Sequence, residues 1–215
     1  MTKNKIIYIP LEELTARYTG MMNAAIYPKV DISLYPKIEI DKEIKRGQFL
    51  DIVNTCKFKA AQLQMIADLF NEGRVDSGDV FLVGDIFFPG IEMIKYMAEL
   101  QDIEVKVFGI NYAGRADSTD FVQKLSYWSD LSEAGYHAIC DGIFVGSEDH
   151  KTNVCNYFGL NEAAQIPKTD FKIFGKPSTR KYRRMGVALA YDKVGTSTDE
   201  LRARAKHVAD KIKVN

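Results

Sequence analysis

Asp79-Val-Phe-Leu-Val-Gly-Asp85 is the stretch on which the fold turns. It is a short apolar run with no polar alternation, bounded by turn residues, the pattern of a parallel strand covered on both faces. Upstream, Phe58, Ala61, Leu63, Met65, Ile66, Leu69 and Phe70 recur at helical spacing between Asn54 and Asn71, and Gly73 stands as a stop. Downstream, Pro89–Leu100 is helical in period and Val105-Lys-Val-Phe-Gly-Ile110 is a second buried strand, so the three pieces form a βαβ unit. The polar stretch from Asn111 to Asp120 leads to a helix near Phe121–Trp128. Cys140-Asp-Gly-Ile-Phe-Val-Gly-Ser147 then gives a third strand, with Ser147 placed to cap a helix running to Phe158.

Toward the N-terminus, Ile6-Ile-Tyr-Ile-Pro10 reads as a short buried strand followed by a helix from about Glu12. Residues 26–40 alternate, but Pro28 and Pro36 confine them to an edge strand or extended loop. Beyond residue 158 the rhythm changes. Phe171-Lys-Ile-Phe174 and Met185-Gly-Val-Ala-Leu-Ala190 look like two strands joined by a basic loop, and a helix follows from about Thr198 to Ile212 with Leu201, Ala205, Val208 and Ile212 on one face. The fold class expected is therefore α/β: a parallel Rossmann-like sheet flanked by helices, with a small C-terminal β-hairpin plus helix appendage. The expected division is 1–158 and 159–215.

Composition agrees with a globular chain: 46% of the 215 residues are apolar, 27% are charged and the formal net charge is zero. That neutrality hides an asymmetry, because residues 168–215 hold 13 Lys/Arg against 5 Asp/Glu. A cationic segment of this kind suits an anionic ligand. No apolar run approaches the roughly 20 residues needed to span a bilayer, and the start lacks a signal-peptide core, so the expectation is a cytoplasmic protein with no membrane partner. Cys56, Cys140 and Cys155 are odd in number and lack metal-ligand spacing, which points to reduced, buried thiols and to no metal.

In an open parallel sheet, ligands bind outside the carboxyl ends of the strands, where loops and helix N-termini converge. This gathers Asp85, Asn111, Arg115, Ser147, Glu148 and His150 around one expected crevice. Asp85 is a candidate base or a ligand for sugar hydroxyls, weighed against a turn-capping role. His150, in the first turn of its helix, is a candidate acid or base, weighed against a solvated surface histidine. Arg115 beside Gly114 suits a phosphate or a surface ion pair. Neither G-x-G-x-x-G nor a Walker sequence occurs, so no tightly bound cofactor is expected.

Two resemblances sharpen this reading. Asp79–Tyr96, Asp141-Gly-Ile-Phe-Val-Gly-Ser-Glu-Asp-His-Lys151 and Tyr157-Phe-Gly-Leu160 resemble the N-terminal Rossmann half of two-domain, B-type glycosyltransferases over residues 1–158. The likeness implies an acceptor-binding half, incomplete for catalysis alone, with a nucleotide-sugar donor held chiefly by a second domain; Asp85 and His150 stay the catalytic candidates from their place at the strand ends. Gly159–Pro177, Arg183-Arg-Met-Gly-Val-Ala-Leu-Ala190 and Arg204–Val214 resemble the C-terminus of formate-dependent phosphoribosylglycinamide formyltransferases, ATP-grasp enzymes of purine biosynthesis. That resemblance implies that Lys176, Arg183 and Arg184 contact the phosphoribosylglycinamide substrate. A lysine point charge and two guanidinium forks at the ends of one basic loop suit a phosphate or carboxylate, against the plainer reading of a solvated hairpin.

Three function classes follow. The first is a glycosyltransferase-like protein fused to a phosphoribosylglycinamide-binding segment, the second a purine-biosynthesis relative, and the third a non-catalytic chimera or scaffold. The expected partner is a small phosphate or sugar ligand. Homo-oligomerisation, or packing between the two parts, is expected to cover surface each parent would bury. Nucleic acid ranks lowest, since few aromatics interleave the basic residues of the tail.

Overall fold

The computed structural model describes residues 4–15, 17–39, 51–160, 164–165, 169–173, 186–190 and 197–210. Its centre is a parallel sheet of six strands in the order β2-β1-β3-β4-β5-β6: β1 Ile6–Ile9, β2 Ile32–Ser33, β3 Val80–Val83, β4 Lys106–Asn111, β5 Gly142–Val145 and β6 Ala164–Gln165. Val80, Val107 and Phe144 fall on the neighbouring strands β3, β4 and β5, with Phe81 opposite Val107 and Ile110 opposite Phe144. The helices are α1 Thr19–Ile26, α2 Ile52–Asn71, α3 Ile91–Leu100, α4 Ser126–Ile139 and α5 Glu148–Phe158. This is the expected α/β arrangement, and β2 is the edge strand that the two prolines demanded.

The apolar residues that marked the strands form its core. Phe81 and Val83 are buried, as are Ile7 and Ile9 of β1, Val107 of β4 and Ile143 and Val145 of β5. Against them pack Ile66, Leu69 and Phe70 of α2 and Ile91, Ile94 and Ala98 of α3, with the Phe70 and Phe81 rings stacked at 6.0 Å. Each such side chain contributes about 1.5–3 kcal/mol. Val80 and Leu82 are less deeply covered than Phe81 and Val83, so β3 has one sealed face and one partly open face rather than two sealed ones.

Buried polar groups tie the layers together. Gln62, on the inner face of α2, donates to the carbonyls of Pro10 (2.8 Å) and Leu34 (3.1 Å). Asp79 accepts from the backbone N–H groups of Lys5 and Asp76 and pairs with Lys5 Nζ at 3.1 Å. Gly109, in the middle of β4, is required by close approach: a Cβ there would run into Ile86 Cγ2.

Three sequence expectations change. The first helix begins at Thr19 rather than near Glu12, because the intervening backbone is held by side chains: Asn23 Nδ2 donates to Leu11 O (2.8 Å) and Thr19 Oγ1 accepts from Leu14 N (3.3 Å). The helix expected near Phe121–Trp128 is a 3-10 turn over Phe121–Leu125 followed by α4, which continues to Ile139. Cys56 is exposed rather than buried; Cys140 is half-buried, and burial pushes its thiol up to about 12. Beyond the sheet's last strand, β7 Thr169–Ile173 and β8 Gly186–Ala190 pair antiparallel, and α6 Thr198–Asp210 packs on both. The sheet itself reaches past residue 159, since β6 pairs with β5 through Ile143–Ala164 and Phe144–Gln165. No helix among the described residues is long and apolar enough to cross a membrane.

Candidate functional site

At the carboxyl ends of β1, β3, β4 and β5 the chain forms two depressions, with Tyr112 lining both. The expected single crevice is thus divided. The first is a cleft of about 160 Å³ lined by Glu12, Lys59, Asp85, Phe87, Tyr112 and Asp120 among others. Asp85 leaves the end of β3 and folds back so that its Oδ1 accepts the Phe87 N–H at 3.0 Å. Burial pushes its carboxyl above the usual range, Lys59 and the Phe87 N–H oppose that, and Glu12 and Asp120 add to it. Burial also raises the Asp120 carboxyl. Glu12 accepts from Thr55 Oγ1 at 2.6 Å, and Lys59 donates to Phe87 O. A desolvated carboxylate near further acids retains its proton to higher pH than a solvated aspartate.

The second depression is an open groove of about 870 Å³ between the ends of β4 and β5. It brings together Asn111, Ser147 and His150 from the expected set, and adds Tyr112, Asp117, Phe144 and Asp149. Ser147 caps α5, its hydroxyl oxygen accepting the His150 N–H at 3.1 Å. Asn111 ends β4 with 1% of its surface exposed; its Oδ1 accepts from Ala113 N at 3.1 Å while its Nδ2 has no partner. His150 Nε2 is likewise buried and unpartnered. Burial holds the imidazole below its usual range despite the neighbouring carboxylates of Asp117 and Glu133, so at neutral pH the ring is uncharged.

The remaining candidates lie elsewhere. The Arg115 guanidinium donates to Asp130 Oδ1 (2.7 Å), the Tyr157 hydroxyl (3.2 Å) and Gln123 Oε1 (2.8 Å), and it lines neither depression. Those bonds tie α4, α5 and the 3-10 turn together. Glu148 is exposed and pairs with Lys151 at 3.7 Å. Lys176, Arg183 and Arg184 lie outside the described residues.

Other groups escaped the sequence reading. Glu133 and His137, four residues apart on α4, are both buried at a separation of 3.8 Å, and Glu133 Oε2 accepts the Arg115 N–H at 2.9 Å. Their i,i+4 spacing was the available signal, lost because the helix was read as ending at Trp128. Asp117 and Asp120 sat in the loop passed over as polar. No group of three or more His, Cys, Asp or Glu side chains among the described residues could hold a metal ion.

Comparison with known proteins bears on both parts of the chain. The family model described as PurT, C-terminal, matches residues 145–212, from the last residue of β5 through α5 and all of α6. The chain is similar to formate-dependent phosphoribosylglycinamide formyltransferases. The protein of that name from Flavobacterium psychrophilum is 44% identical over 178 residues, 80% of this chain and 44% of the relative. Those from Chlorobium phaeobacteroides and Chlorobaculum tepidum are 33% and 42% identical over 174 residues, each covering 79% of this chain and 44% and 43% of the relative.

Matches of that extent cannot be confined to residues 159–215, so the similarity to the formyltransferases reaches into the sheet. The chain spans less than half the length of these relatives. None of them is a glycosyltransferase, and the likeness read in residues 1–158 gains no support from them. The expectation that ranked glycosyl transfer first therefore gives way to its purine-biosynthesis alternative.

Proposed function

We propose that this chain is a purine-biosynthesis protein that binds phosphoribosylglycinamide, with Lys176, Arg183 and Arg184 gripping the substrate's phosphate. The observation that carries the reading is the family match over residues 145–212, which contains all three cations. The same segment supplies one wall of the open groove, from Val145 through Ser147 and His150 to Asn153. The physical chemistry is consistent with it, since two guanidinium forks and an ammonium supply the geometry and charge that a phosphate monoester needs. In this reading the chain is the substrate-binding portion of the chemistry and works in the cytoplasm.

Calorimetric titration of the full chain with phosphoribosylglycinamide tests the reading. Saturable binding is expected, and the triple variant Lys176→Ala, Arg183→Ala, Arg184→Ala should bind at least about a thousandfold more weakly, because each charge-assisted contact contributes about 1.5–3 kcal/mol. Equal binding by the triple variant would remove the cations from the site.

A further inference from the structure

We infer that the groove between the ends of β4 and β5 is a subsite for a neutral, polyhydroxylated sugar ring and not for a phosphate. The inference deepens the proposed function, because a phosphoribosyl substrate carries such a ring, but it stands on the groove's own side chains. A groove facing the capped N-terminus of α5 would ordinarily be read as an anion site, since that end of the helix carries partial positive charge. The side chains here oppose that. Asp117 and Asp149 line the groove, and among the described residues no lysine or arginine lines it. Arg115, a candidate cation from the sequence, donates to Asp130, Tyr157 and Gln123.

What the groove does offer suits hydroxyls. Asn111 is 1% exposed and its amide nitrogen is a donor without a partner, a state that costs free energy until a ligand acceptor arrives. The uncharged His150 ring contributes a second unpartnered nitrogen at the same groove. An unpartnered donor asks for an acceptor and a carboxylate asks for a donor; a sugar hydroxyl is both at once. Tyr112 and Phe144 add ring surface for the apolar C–H face of a sugar. A phosphate, an anion that chiefly accepts, would satisfy Asn111 and leave Asp117 and Asp149 repelling it.

Two-dimensional NMR of the full chain, titrated separately with D-ribose, D-glucose and inorganic phosphate, tests the assignment. The sugars are expected to shift the resonances of Asn111, Ser147 and His150, and phosphate is expected to leave them in place. The sugar that binds more tightly distinguishes a pentose-bearing from a hexose-bearing ligand. Asn111→Leu should weaken sugar binding about fivefold, the worth of one net hydrogen bond. Because Asn111 is buried, the exposed Asp149→Asn serves as the second variant: it should weaken the sugar, which loses a carboxylate acceptor, and should ease the repulsion of phosphate. Phosphate shifts at Asn111 in the unaltered chain that match or exceed those of the sugars, or no sugar shifts at the groove, would overturn the inference. Calorimetry with phosphoribosylglycinamide on Asp149→Asn separates the two claims. Binding that persists through the tail cations while the groove stays silent to sugars sinks the subsite alone.

Discussion

Asp85 illustrates how a single residue couples stability to function. Burial, with Glu12 and Asp120 nearby, raises its carboxyl pKa in the folded chain, so folding penalises the charged form. The sign follows directly: a carboxyl whose folded pKa is raised contributes its stability at low pH and loses it as pH rises through the folded value. Asp85→Asn, which preserves an acceptor for the Phe87 N–H, should therefore raise the melting temperature at pH 7, with the gain vanishing as pH falls below the ordinary 3.8. Thermal melts across pH check this, and a loss of stability at pH 7 would contradict it. His150 behaves with the same logic for a base: its folded pKa is lowered, so its contribution is present above 6.5 and is lost as pH falls below that value. Gly109→Ala should cost about 1–3 kcal/mol, measured by denaturant unfolding, because its new methyl meets Ile86 inside a packed sheet. Asp85 and His150 were visible in the sequence as residues at strand ends. Their partners were not, since Glu12 and Asp117 reach them across distances that periodicity does not encode.

Among the elements, α5 and the start of β5 carry the clearest consequences. Ser147→Ala removes the hydroxyl that caps α5 and should cost about 1 kcal/mol, with faster amide exchange in the first turn of the helix. Asp141, just before β5, pairs with Lys95 at 2.6 Å and accepts the Val107 N–H at 2.7 Å. Burial would raise its carboxyl, but Lys95, the Val107 N–H and Lys106 outweigh that and hold it below the usual range. Its stabilisation is present above the ordinary 3.8 and is lost as pH falls through the lower folded value. Asp141→Asn should thus cost about 1–2 kcal/mol at pH 7 and less in acid, as urea unfolding at both pH values would show. The strands were legible because an uninterrupted apolar run such as Val80–Val83 has few alternatives. The start of α1 was not, because Asn23 and Thr19 satisfy the backbone around Leu11–Leu14 from a distance. The length of α4 was missed for a related reason: Glu133 and His137 interrupt the apolar stripe and are nonetheless buried.

At the scale of the molecule, the sheet and the family match overlap instead of meeting at a border. The sheet takes its last strand from Ala164–Gln165, while the matched segment begins back at Val145. A chain ended after residue 167 should accordingly melt at a higher temperature than one ended after residue 158, which leaves the edge of β5 uncovered. The change in charge and rhythm near residue 168 drew attention to the tail, whereas the pairing of a two-residue strand lies below what alternation can reveal. The measurement that bears most directly on the whole reading is a thermal-shift comparison of the full chain with phosphoribosylglycinamide and with a nucleotide-sugar such as UDP-glucose. Phosphoribosylglycinamide at a hundredfold excess over its Kd should stabilise the fold by about 2.7 kcal/mol and the nucleotide-sugar should not. Stabilisation by the nucleotide-sugar alone would contradict the purine reading and restore the glycosyltransferase one.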